Sequence, residues 1–319
     1  MATLLGIDLG GTKLALAVFS TQGRVLFKKA IALEKRTGTA VGALIREQIE
    51  YLQKHYAKQN AIQSIGIAVP GISRRGQGTV WAPNIEGWEA YPLLAELQSV
   101  CGHLPVTIES DRSCYILGEM WQGVAQGCKN AIYLAVGTGI GAGIVMDGQV
   151  LQGADGIAGA IGWMALSRPF KSPYKDTGCF EYHASGSGLA HRAQQMLMEK
   201  EDYNGILKNL PVGKITAQEV FTAHEQGDTL AAVVVEDGIA YWGMAVANLV
   251  SLFNPQKIIL GGGVFGPALK WIPQIRAEAA QWAQPISMQQ VSIEASGLGC
   301  DAGVYGAGFL ALQSLLPHA

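Results

Sequence analysis

The 319-residue chain has little charge, few cysteines and no strong excess of either charge sign. Charged residues make up 15% of the chain, and the formal net charge is −2 at pH 7. This balance argues against the basic surface that binds nucleic acid, and no run of lysine and arginine indicates a membrane-surface patch. The five cysteines are scattered and odd in number, which favours reduced cytoplasmic thiols over a disulfide framework.

Long apolar runs and targeting segments are also missing. No apolar run approaches the roughly 20 residues that span a bilayer. Met1-Ala2-Thr3 leads directly into a predicted strand, without the basic and apolar regions of a secretion signal. We therefore expect a cytoplasmic protein with no membrane partner. A chain of this length with 49% hydrophobic residues has room for about two domains and a substantial core.

What the sequence does contain is an alternation of strand and helix patterns that occurs twice. The first part predicts strands at 3–9, 13–19, 24–31, 62–69 and 106–109, and helices at 39–57 and 91–101. The second predicts two strands within 131–148, a strand at 257–260, and helices near 185–199, 216–225, 228–253, 266–281 and 298–315. Such a long-range echo is expected for a duplicated α/β fold. Three glycines of the last helix, Gly303, Gly306 and Gly308, would allow close approach to a neighbouring element.

A glycine-rich turn separates the first two predicted strands. Gly10, Gly11, Thr12 and Lys13 form this turn, where backbone N–H groups, a hydroxyl and an ammonium group can converge on a polyphosphate. Asp8 precedes the turn, where its carboxylate could hold a hydrated Mg²⁺ ion. The same residues also fit an ordinary glycine-rich hairpin.

Two further glycine-rich segments occur later in the chain. Gly137-Thr138-Gly139-Ile140-Gly141 lies between two predicted strands, and Gly261-Gly262-Gly263 follows the strand 257–260. Two phosphate-binding hairpins and a glycine wall for a flat base resemble the nucleotide cleft of actin/hexokinase-type ATPases. A dinucleotide-binding GxGxxG motif is not supported, because no such spacing leads from a strand into a helix with an acidic residue about 20 residues further on.

Together these segments resemble the ROK family of bacterial sugar kinases and related repressors, over essentially the whole chain. The further matching motifs are Val69-Pro70-Gly71, Pro83-Asn84-Ile85-x-Gly87-Trp88, Gly118-Glu119, Gly156-x-x-Gly159, Asn254-Pro255-x-Lys257 and Leu298-Gly299-x-Asp301-Ala302-Gly303. The resemblance implies a two-domain actin/hexokinase-like (ribonuclease H-like) α/β fold with nucleotide and sugar in the interdomain cleft. We expect a small domain at residues 1–118 plus a C-terminal helix at about 303–319, and a large domain at 119–302.

The resemblance also implies an activity, namely ATP-dependent phosphorylation of a hexose-type sugar hydroxyl, with C6 as the implied position. Its cofactors are ATP and Mg²⁺, and the expected assembly is a homodimer or homotetramer. Asp111 is the implied general base, and Asp8 holds Mg²⁺ through water. The implied phosphate-binding residues are Gly10, Gly11, Thr12, Lys13, Gly137, Thr138 and Gly139, and those for adenosine are Gly261, Gly262 and Gly263. The implied substrate residues are Gly71, Asn84, Ser110, Asp111, Ala160, Trp163 and Glu181.

The base follows a predicted strand, within Glu109-Ser110-Asp111. Phosphoryl transfer needs a carboxylate beside the attacking hydroxyl, because catalysis is mostly positioning and charge stabilisation. Ser110 and Asp111 also suit a helix N-cap, a role compatible with that of a base. If the strand continued through Asp111, alternation would place Glu109 on the same face. The residue pattern therefore leaves both acids as candidates, and the resemblance favours Asp111.

The acceptor side departs from the family pattern. Ser110 replaces the usual Asn, Ala160 replaces a sugar-binding glutamate, and Trp163 replaces a histidine that contacts sugar and zinc. The loss of both polar groups at the anomeric end predicts weak binding of plain glucose and a pocket that admits a bulky or apolar substituent on the Trp163 ring.

Several alternatives to a hexose kinase stay open. A non-catalytic nucleotide- or sugar-binding sensor, a kinase for a non-hexose or substituted sugar, and polyphosphate as phosphoryl donor are all compatible with the sequence. A transcriptional regulator is disfavoured, because the kinase-like body starts at residue 3 with no preceding helix-turn-helix.

The zinc loop of the family is also changed. The segment 172–181 keeps Cys179 but lacks the two other cysteines, and structural zinc takes four protein ligands, mostly Cys and His. We therefore expect no zinc and a loop held by aromatic packing. The candidate packing residues are Phe170, Tyr174, Phe180 and Tyr182. The pairs Lys28-Lys29 and Arg74-Arg75 are expected to be solvated charge.

Overall fold

The computed structural model describes residues 2–56, 61–200 and 202–316. The strands are β1 (Thr3–Leu9), β2 (Lys13–Ser20), β3 (Val25–Ala32), β4 (Ile62–Val69), β5 (Ile72–Arg74), β6 (Thr79–Trp81), β7 (Val106–Ser110), β8 (Ala131–Val136), β9 (Ile140–Met146), β10 (Gln149–Val150), β11 (Lys257–Gly261) and β12 (Ser292–Ala295). The helices are α1 (Gly38–His55), α2 (Leu93–Cys101), α3 (Asp111–Gln122), α4 (Tyr174–Thr177), α5 (Cys179–Ala184), α6 (Gly186–Glu199), α7 (Ala217–Glu225), α8 (Thr229–Phe253), α9 (Ile272–Trp282), α10 (Pro285–Gln290) and α11 (Ala302–Gln313).

The chain divides into two compact units. Unit 1 comprises Met1–Gly127, Val150–Ala158 and Ser296–Ala319, and unit 2 comprises Cys128–Gln149 and Gly159–Ala295. These bounds differ from the expected ones, because α3 continues past residue 118 and a 3-10 turn precedes α11. The segment Val150–Ala158 also belongs to unit 1, which no sequence pattern indicated. Residue 57 of the first predicted helix and residues 317–319 of the small domain lie outside the described residues.

The sheet of unit 1 has the strand order β3-β2-β1-β4-β7. The strands β1, β2 and β3 pair antiparallel, whereas β1, β4 and β7 pair parallel. The strands β1 and β4 are buried on both faces, as their near-continuous apolar sequences require. In the parallel register Asp8 lies opposite Ala68, and Ala68 lies opposite Glu109. The carboxyl ends of these strands therefore bring Asp8, Gly71 and Ser110 to one edge of the sheet.

Helix α11 packs closely behind this sheet because glycines line the contact. A Cβ atom at Gly66 would lie 1.9 Å from the Ala307 carbonyl oxygen, and one at Gly306 would lie 1.8 Å from the Cys114 carbonyl oxygen of α3. The predicted close approach of the C-terminal helix is thus confirmed, and its neighbours are β1, β4 and α3.

The sheet of unit 2 repeats the architecture, with the order β10-β9-β8-β11-β12. Its β8–β9 pair is antiparallel, and its β8–β11 and β11–β12 pairs are parallel. The duplicated α/β fold predicted from the sequence is confirmed by this repeat. The core of unit 2 packs the sheet against α6, α7, α8 and α9, with Trp242 and Phe180 fully buried.

Helix α8 corrects the expectation that no apolar stretch reaches spanning length. Within the described residues it is the one helix long and apolar enough to cross a membrane by length and composition. More than half of its most apolar window is buried inside the structure, as in the core helix of a soluble protein. Glu236 and Asp237 interrupt the apolar run, so the sequence shows no uninterrupted apolar stretch of spanning length within this helix.

Candidate active site

Asp8 lies at the carboxyl end of β1, directly before the turn to β2. The Gly10 N–H donates to the Lys13 carbonyl oxygen at 2.9 Å and closes this turn. Gly11, Thr12 and Lys13 are exposed. The residues predicted to bind phosphate therefore form one accessible turn beside the Asp8 carboxylate.

The surroundings of Asp8 favour a cation. A Cβ atom at Gly303 of α11 would come within 2.4 Å of Asp8 Oδ2, so only glycine leaves room there. Burial, followed by the charge of Asp111 and to a lesser extent that of Asp301, raises the pKa of Asp8 to about 7 against the opposing charge of Lys13. A carboxylate whose ionisation is this costly is stabilised by a bound cation.

Asp111 is the first residue of α3, and Ser110 occupies the N-cap position. The Asp111 carboxylate accepts hydrogen bonds from the Arg112 N–H at 2.8 Å and the Tyr115 hydroxyl at 3.1 Å. Burial raises the pKa of Asp111, whereas the Arg112 charge and these hydrogen bonds lower it. The net increase makes the carboxylate a better proton acceptor than an ordinary exposed aspartate.

Glu109, the rival carboxylate, has different surroundings. Glu109 Oε2 accepts hydrogen bonds from Arg75 Nη2 and Gln152 Nε2, each at 2.6 Å, and Oε1 accepts one from the Ser110 N–H at 2.8 Å. Because a guanidinium and an amide occupy this carboxylate, Glu109 is a poorer candidate for the base than Asp111. Arg75 is exposed to solvent as predicted, with 52% of its side chain accessible, but its guanidinium also pairs with a buried acid, which was not predicted.

Asn84 lies near the turn between β1 and β2, whereas Gly71 lies at the edge of the sheet after β4. A Cβ atom at Gly11 would lie 3.5 Å from the Asn84 Cβ, so Asn84 is next to the turn between β1 and β2. Gly71 has a φ angle of +146°, and a Cβ atom there would lie 2.1 Å from the Trp81 carbonyl oxygen. That conformation requires glycine. Trp88 is fully buried and fixes the loop that carries Asn84.

Unit 2 contains a cavity of about 390 Å³ beside the β8–β9 hairpin, a volume typical of small-molecule sites. The hairpin, the starts of α6 and α7, and the loop after β11 form its wall. Its lining includes Gly137, Thr138, Gly263, Thr216, Gln218 and Phe221. A larger groove of about 860 Å³ lies elsewhere in unit 2, around Tyr203 and Asp228. Asp228 caps α8 there, so we assign the residues of that groove a role in folding and not in binding.

The predicted glycine wall divides into two parts in the structure. Gly263 lines the cavity. Gly262 has a φ angle of +91°, and a Cβ atom there would lie 2.4 Å from the Val136 carbonyl oxygen. A Cβ atom at Gly261 would lie 1.9 Å from the Tyr133 hydroxyl. Gly261 and Gly262 therefore allow the loop to pack closely against β8, and of these three glycines only Gly263 faces the cavity.

Sequence reasoning missed the contribution of α7 to this cavity. Thr216 and Glu219 form a capping box that fixes the start of α7, and this signal was readable in the sequence. It gives the position of a helix start but not its spatial neighbours. Only the fold brings Thr216, Gln218 and Phe221 to the hairpin.

Glu181 lies on α5 and contacts the β8–β9 hairpin. Its Oε2 accepts a hydrogen bond from the Ile140 N–H at 2.7 Å, and Cβ atoms at Gly139 and Gly162 would lie 2.9 and 3.0 Å from it. Burial raises the pKa of Glu181, and the Ile140 hydrogen bond opposes this. The structure thus places the predicted sugar-binding acid directly beside the turn between β8 and β9.

Ala160 precedes a 3-10 turn at Ile161–Trp163, and Trp163 is the last residue of that turn. The Trp163 N–H donates to the Ala160 carbonyl oxygen at 3.2 Å. The Trp163 side chain is 56% exposed, and Gly178 packs against its backbone. The large ring is therefore accessible, and it follows the small side chain of Ala160 by three positions in the sequence.

The segment that replaces the zinc loop is held partly by the predicted aromatic residues. Phe180 and Tyr174 are buried, and Tyr182 packs edge-on against Tyr174 with ring centroids 5.3 Å apart. Phe170 is 66% exposed and contributes less. Across the described ranges, no group of three or more His, Cys, Asp or Glu side chains could hold a metal ion. The lack of zinc stays a prediction.

His183 lies at the centre of this aromatic cluster. Its ring stacks on Tyr241 with centroids 4.4 Å apart and 7° between the planes. Its Nε2 atom lies 2.7 Å from the Tyr174 hydroxyl. Burial lowers the pKa of His183 to about 4, and the Lys171 charge adds to this effect. The imidazole therefore packs as a neutral ring.

Acidification from about pH 6.5 to about pH 4 is expected to lower the free energy of unfolding, in part through His183. In the unfolded chain the imidazole binds a proton near its ordinary pKa of about 6.5, whereas the folded chain keeps it neutral until about pH 4. In this window protons bind preferentially to the unfolded chain, so stability falls as the pH falls. Urea unfolding across the window should show a shallower loss for His183→Gln than for the exposed control His103→Gln. Equal slopes would contradict this assignment.

Comparison with known proteins gives one family match and several similar individual proteins. The sequence model of the ROK family matches residues 4–314. A glucokinase from Halalkalibacterium halodurans is 34% identical over 317 residues, which cover 97% of this chain and 94% of that protein. A xylose repressor from Caldicellulosiruptor bescii is 30% identical, over 95% of this chain and 78% of the repressor.

A solved structure is also similar over the whole chain. It is a ROK family glucokinase from Streptomyces griseus in complex with glucose and AMPPNP. The TM-score is 0.75 at 28% sequence identity, and the match covers 98% of this chain and 99% of that one.

Proposed function

This chain belongs to the ROK family and is a sugar kinase, and we propose that it transfers the γ-phosphoryl group of ATP to the C6 hydroxyl of a hexose-type sugar, with Asp111 as the general base. The observation that carries the proposal is the position of Asp111. Its carboxylate lies at the start of α3, has a raised pKa and acts electrostatically on Asp8. The similarity to a glucokinase in complex with glucose and AMPPNP supports both substrates.

In this mechanism Asp111 accepts the proton of the attacking sugar hydroxyl. The Arg112 N–H and the Tyr115 hydroxyl hold its carboxylate in one orientation, which limits the reorganisation needed during transfer. The Ser110 hydroxyl is 3.4 Å from the carboxylate and can donate to or accept from a neighbouring sugar hydroxyl. Asp111 therefore accepts the proton, and the neighbouring residues of α3 orient its carboxylate.

The residues present fit a magnesium–nucleotide complex. The Asp8 carboxylate would hold the metal ion through water, and the charges of Asp111 and Asp301 act on that carboxylate. The turn at Gly10–Lys13 and the hairpin at Gly137–Gly139 would bind phosphates through N–H groups. The cavity at Gly263 and the start of α7 would hold adenosine. When bound, the complex supplies the phosphoryl group and a metal charge that offsets the phosphates.

Gly263→Val is expected to raise the KM for ATP about tenfold or more. A Cβ atom at Gly263 meets open space, with no atom of the described chain within 4 Å, so the variant should fold while its side chain enters the cavity. Steady-state ADP release at varied ATP measures the effect. Gly213→Val is the control, because Gly213 also faces open space and is exposed. An unchanged KM in Gly263→Val would remove this cavity from the proposal.

The proposed acceptor is a sugar with a bulky or apolar substituent at its anomeric end. Ala160 offers only a methyl group, and the ring of Trp163 is more than half exposed, so these two side chains favour apolar packing over hydrogen bonding. Glu181 retains a carboxylate beside the hairpin. Free glucose is accordingly a weaker acceptor than an anomerically substituted hexose in this proposal.

A sugar-binding sensor without catalysis is the second candidate. The 30% identity to a xylose repressor and the loss of two polar acceptor residues favour it. Asp111 and Lys13 argue against it, because a sensor needs neither a base nor a phosphate-binding ammonium. A cytoplasmic location and a homodimeric or homotetrameric assembly stay predictions in both cases.

The test is ADP release with Mg-ATP across hexoses, amino sugars, N-acetyl sugars, glycosides, disaccharides and polyols. Transfer to at least one sugar, with a substituted hexose preferred over glucose, supports the proposal. A strong preference for free glucose or mannose would overturn the acceptor assignment. Nucleotide binding without transfer, with ATP or polyphosphate as donor, would favour the sensor.

A further inference from the structure

Glu109 is a buried acid that the proposed reaction does not use. Its side chain is only 6% exposed, yet it contacts two segments that are distant in sequence. Arg75 and Gln152 both donate to its Oε2 at 2.6 Å, and the Ser110 N–H donates to its Oε1 at 2.8 Å. A buried carboxylate with three donors from different parts of the chain fixes their relative positions.

The same segments also meet next to Glu109. Arg75 lies in the loop between β5 and β6, and Gln152 lies in the segment Val150–Ala158. A Cβ atom at Gly156 of that segment would lie 3.3 Å from the Ser73 carbonyl oxygen. The Ser73 hydroxyl in turn donates to the Ile108 carbonyl oxygen at 2.9 Å. The β5–β6 loop, the segment Val150–Ala158 and the end of β7 thus converge at one point within unit 1.

Two of these segments lead directly into proposed site residues. The residues after Glu109 are Ser110 and Asp111, and the chain after Ala158 continues into Ala160 and Trp163. We propose that Arg75, Glu109 and Gln152 form a clasp. This clasp positions the base and the start of the segment that carries Ala160 and Trp163. The clasp residues are positioning residues, and this inference rests on the proposed function.

Arg75 should contribute more to this clasp than Gln152. A guanidinium–carboxylate hydrogen bond is stronger than one from a neutral amide, and removal of Arg75 leaves a buried carboxylate without its cation. Small displacements close to the reacting groups have large kinetic effects, with about 100-fold for a displacement of about 1 Å. The clasp should therefore affect acceptor use much more than nucleotide use.

Arg75→Gln and Gln152→Ala test the clasp by steady-state kinetics with the best acceptor of the substrate panel. For Arg75→Gln we expect kcat/KM for the acceptor to fall about tenfold or more, with the KM for ATP changed by less than about twofold. Gln152→Ala should show a smaller effect in the same direction. Arg75→Lys should recover part of the loss, because Lys retains the charge and can donate hydrogen bonds but lacks the planar guanidinium. Arg74→Gln is the matched control, since Arg74 is the exposed neighbour.

A second measurement separates the clasp from the proposed function. Amide hydrogen exchange of the segment Val150–Ala158 should be faster in Arg75→Gln than in wild type and Arg74→Gln. Unchanged exchange there, or equal kinetic changes for acceptor and ATP, would overturn the clasp. If wild type transfers phosphate to no acceptor, the proposed function fails, and the exchange measurement still decides whether the clasp exists.

Discussion

Asp111→Asn is expected to lower kcat by about 10²- to 10⁴-fold, which is the usual contribution of a general base. The Asn side chain keeps the size of the carboxylate and an oxygen that can accept from the Arg112 N–H, but it cannot take up a proton at neutral pH. ADP release at saturating sugar and ATP measures the effect. Binding of both substrates should change little, because the lost interaction belongs to the transition state.

The control for this variant is Asp176→Asn, which removes an exposed aspartate from α4 and should leave kcat unchanged. The pH profile adds an independent check. Only ionised Asp111 accepts a proton, so kcat/KM falls as the pH falls through its pKa. Because burial raises that pKa, the loss begins at a higher pH than for an ordinary aspartate, whose pKa is about 3.9. More than about a tenth of wild-type activity in Asp111→Asn would direct attention to Glu109 as base.

The secondary structure could largely be predicted, because the strands are apolar runs with clear ends. The strands predicted at 3–9 and 62–69 have those bounds in the structure, and the helix predicted at 228–253 begins one residue later. Hydrophobic patterns predict short strands less well than long ones, because a short strand contains few residues. No sequence pattern indicated β5, β6 or β12, and each of these strands has only three or four residues.

Individual residues of the candidate site could be predicted only where they belong to a local sequence motif. The turn after Asp8 and the hairpin at Gly137 are local, so they were found. The Arg75–Glu109 pair joins residues 34 positions apart, and the Gln152–Glu109 contact joins residues 43 positions apart. Such pairings depend on strand order and loop packing, which hydrophobic periodicity does not encode. The same limit applies to α7 at the cavity beside the β8–β9 hairpin.

Glu119→Ala is expected to lower the free energy of unfolding by about 3–5 kcal/mol. Glu119 is fully buried on α3, and its carboxylate accepts four hydrogen bonds. Ser296 Oγ and the Leu298 N–H donate to Oε1 at 2.5 and 3.1 Å, and the Val124 and Gly297 N–H groups donate to Oε2 at 2.9 and 3.3 Å. The alanine variant leaves all four donors without this acceptor. Urea unfolding with linear extrapolation measures the loss.

Glu119→Gln separates the role of the carboxylate from that of side-chain size. The amide has nearly the same shape, but its NH₂ group would face N–H donors in place of one acceptor oxygen, so we expect a loss of about 2 kcal/mol or more. Glu50→Ala on the exposed face of α1 should change stability by less than about 0.5 kcal/mol. If Glu119→Gln were as stable as wild type, side-chain packing rather than hydrogen bonding would explain the burial of Glu119. A loss in both Glu119 variants means that this carboxylate holds the segment leading into α11, and with it Gly303 against Asp8.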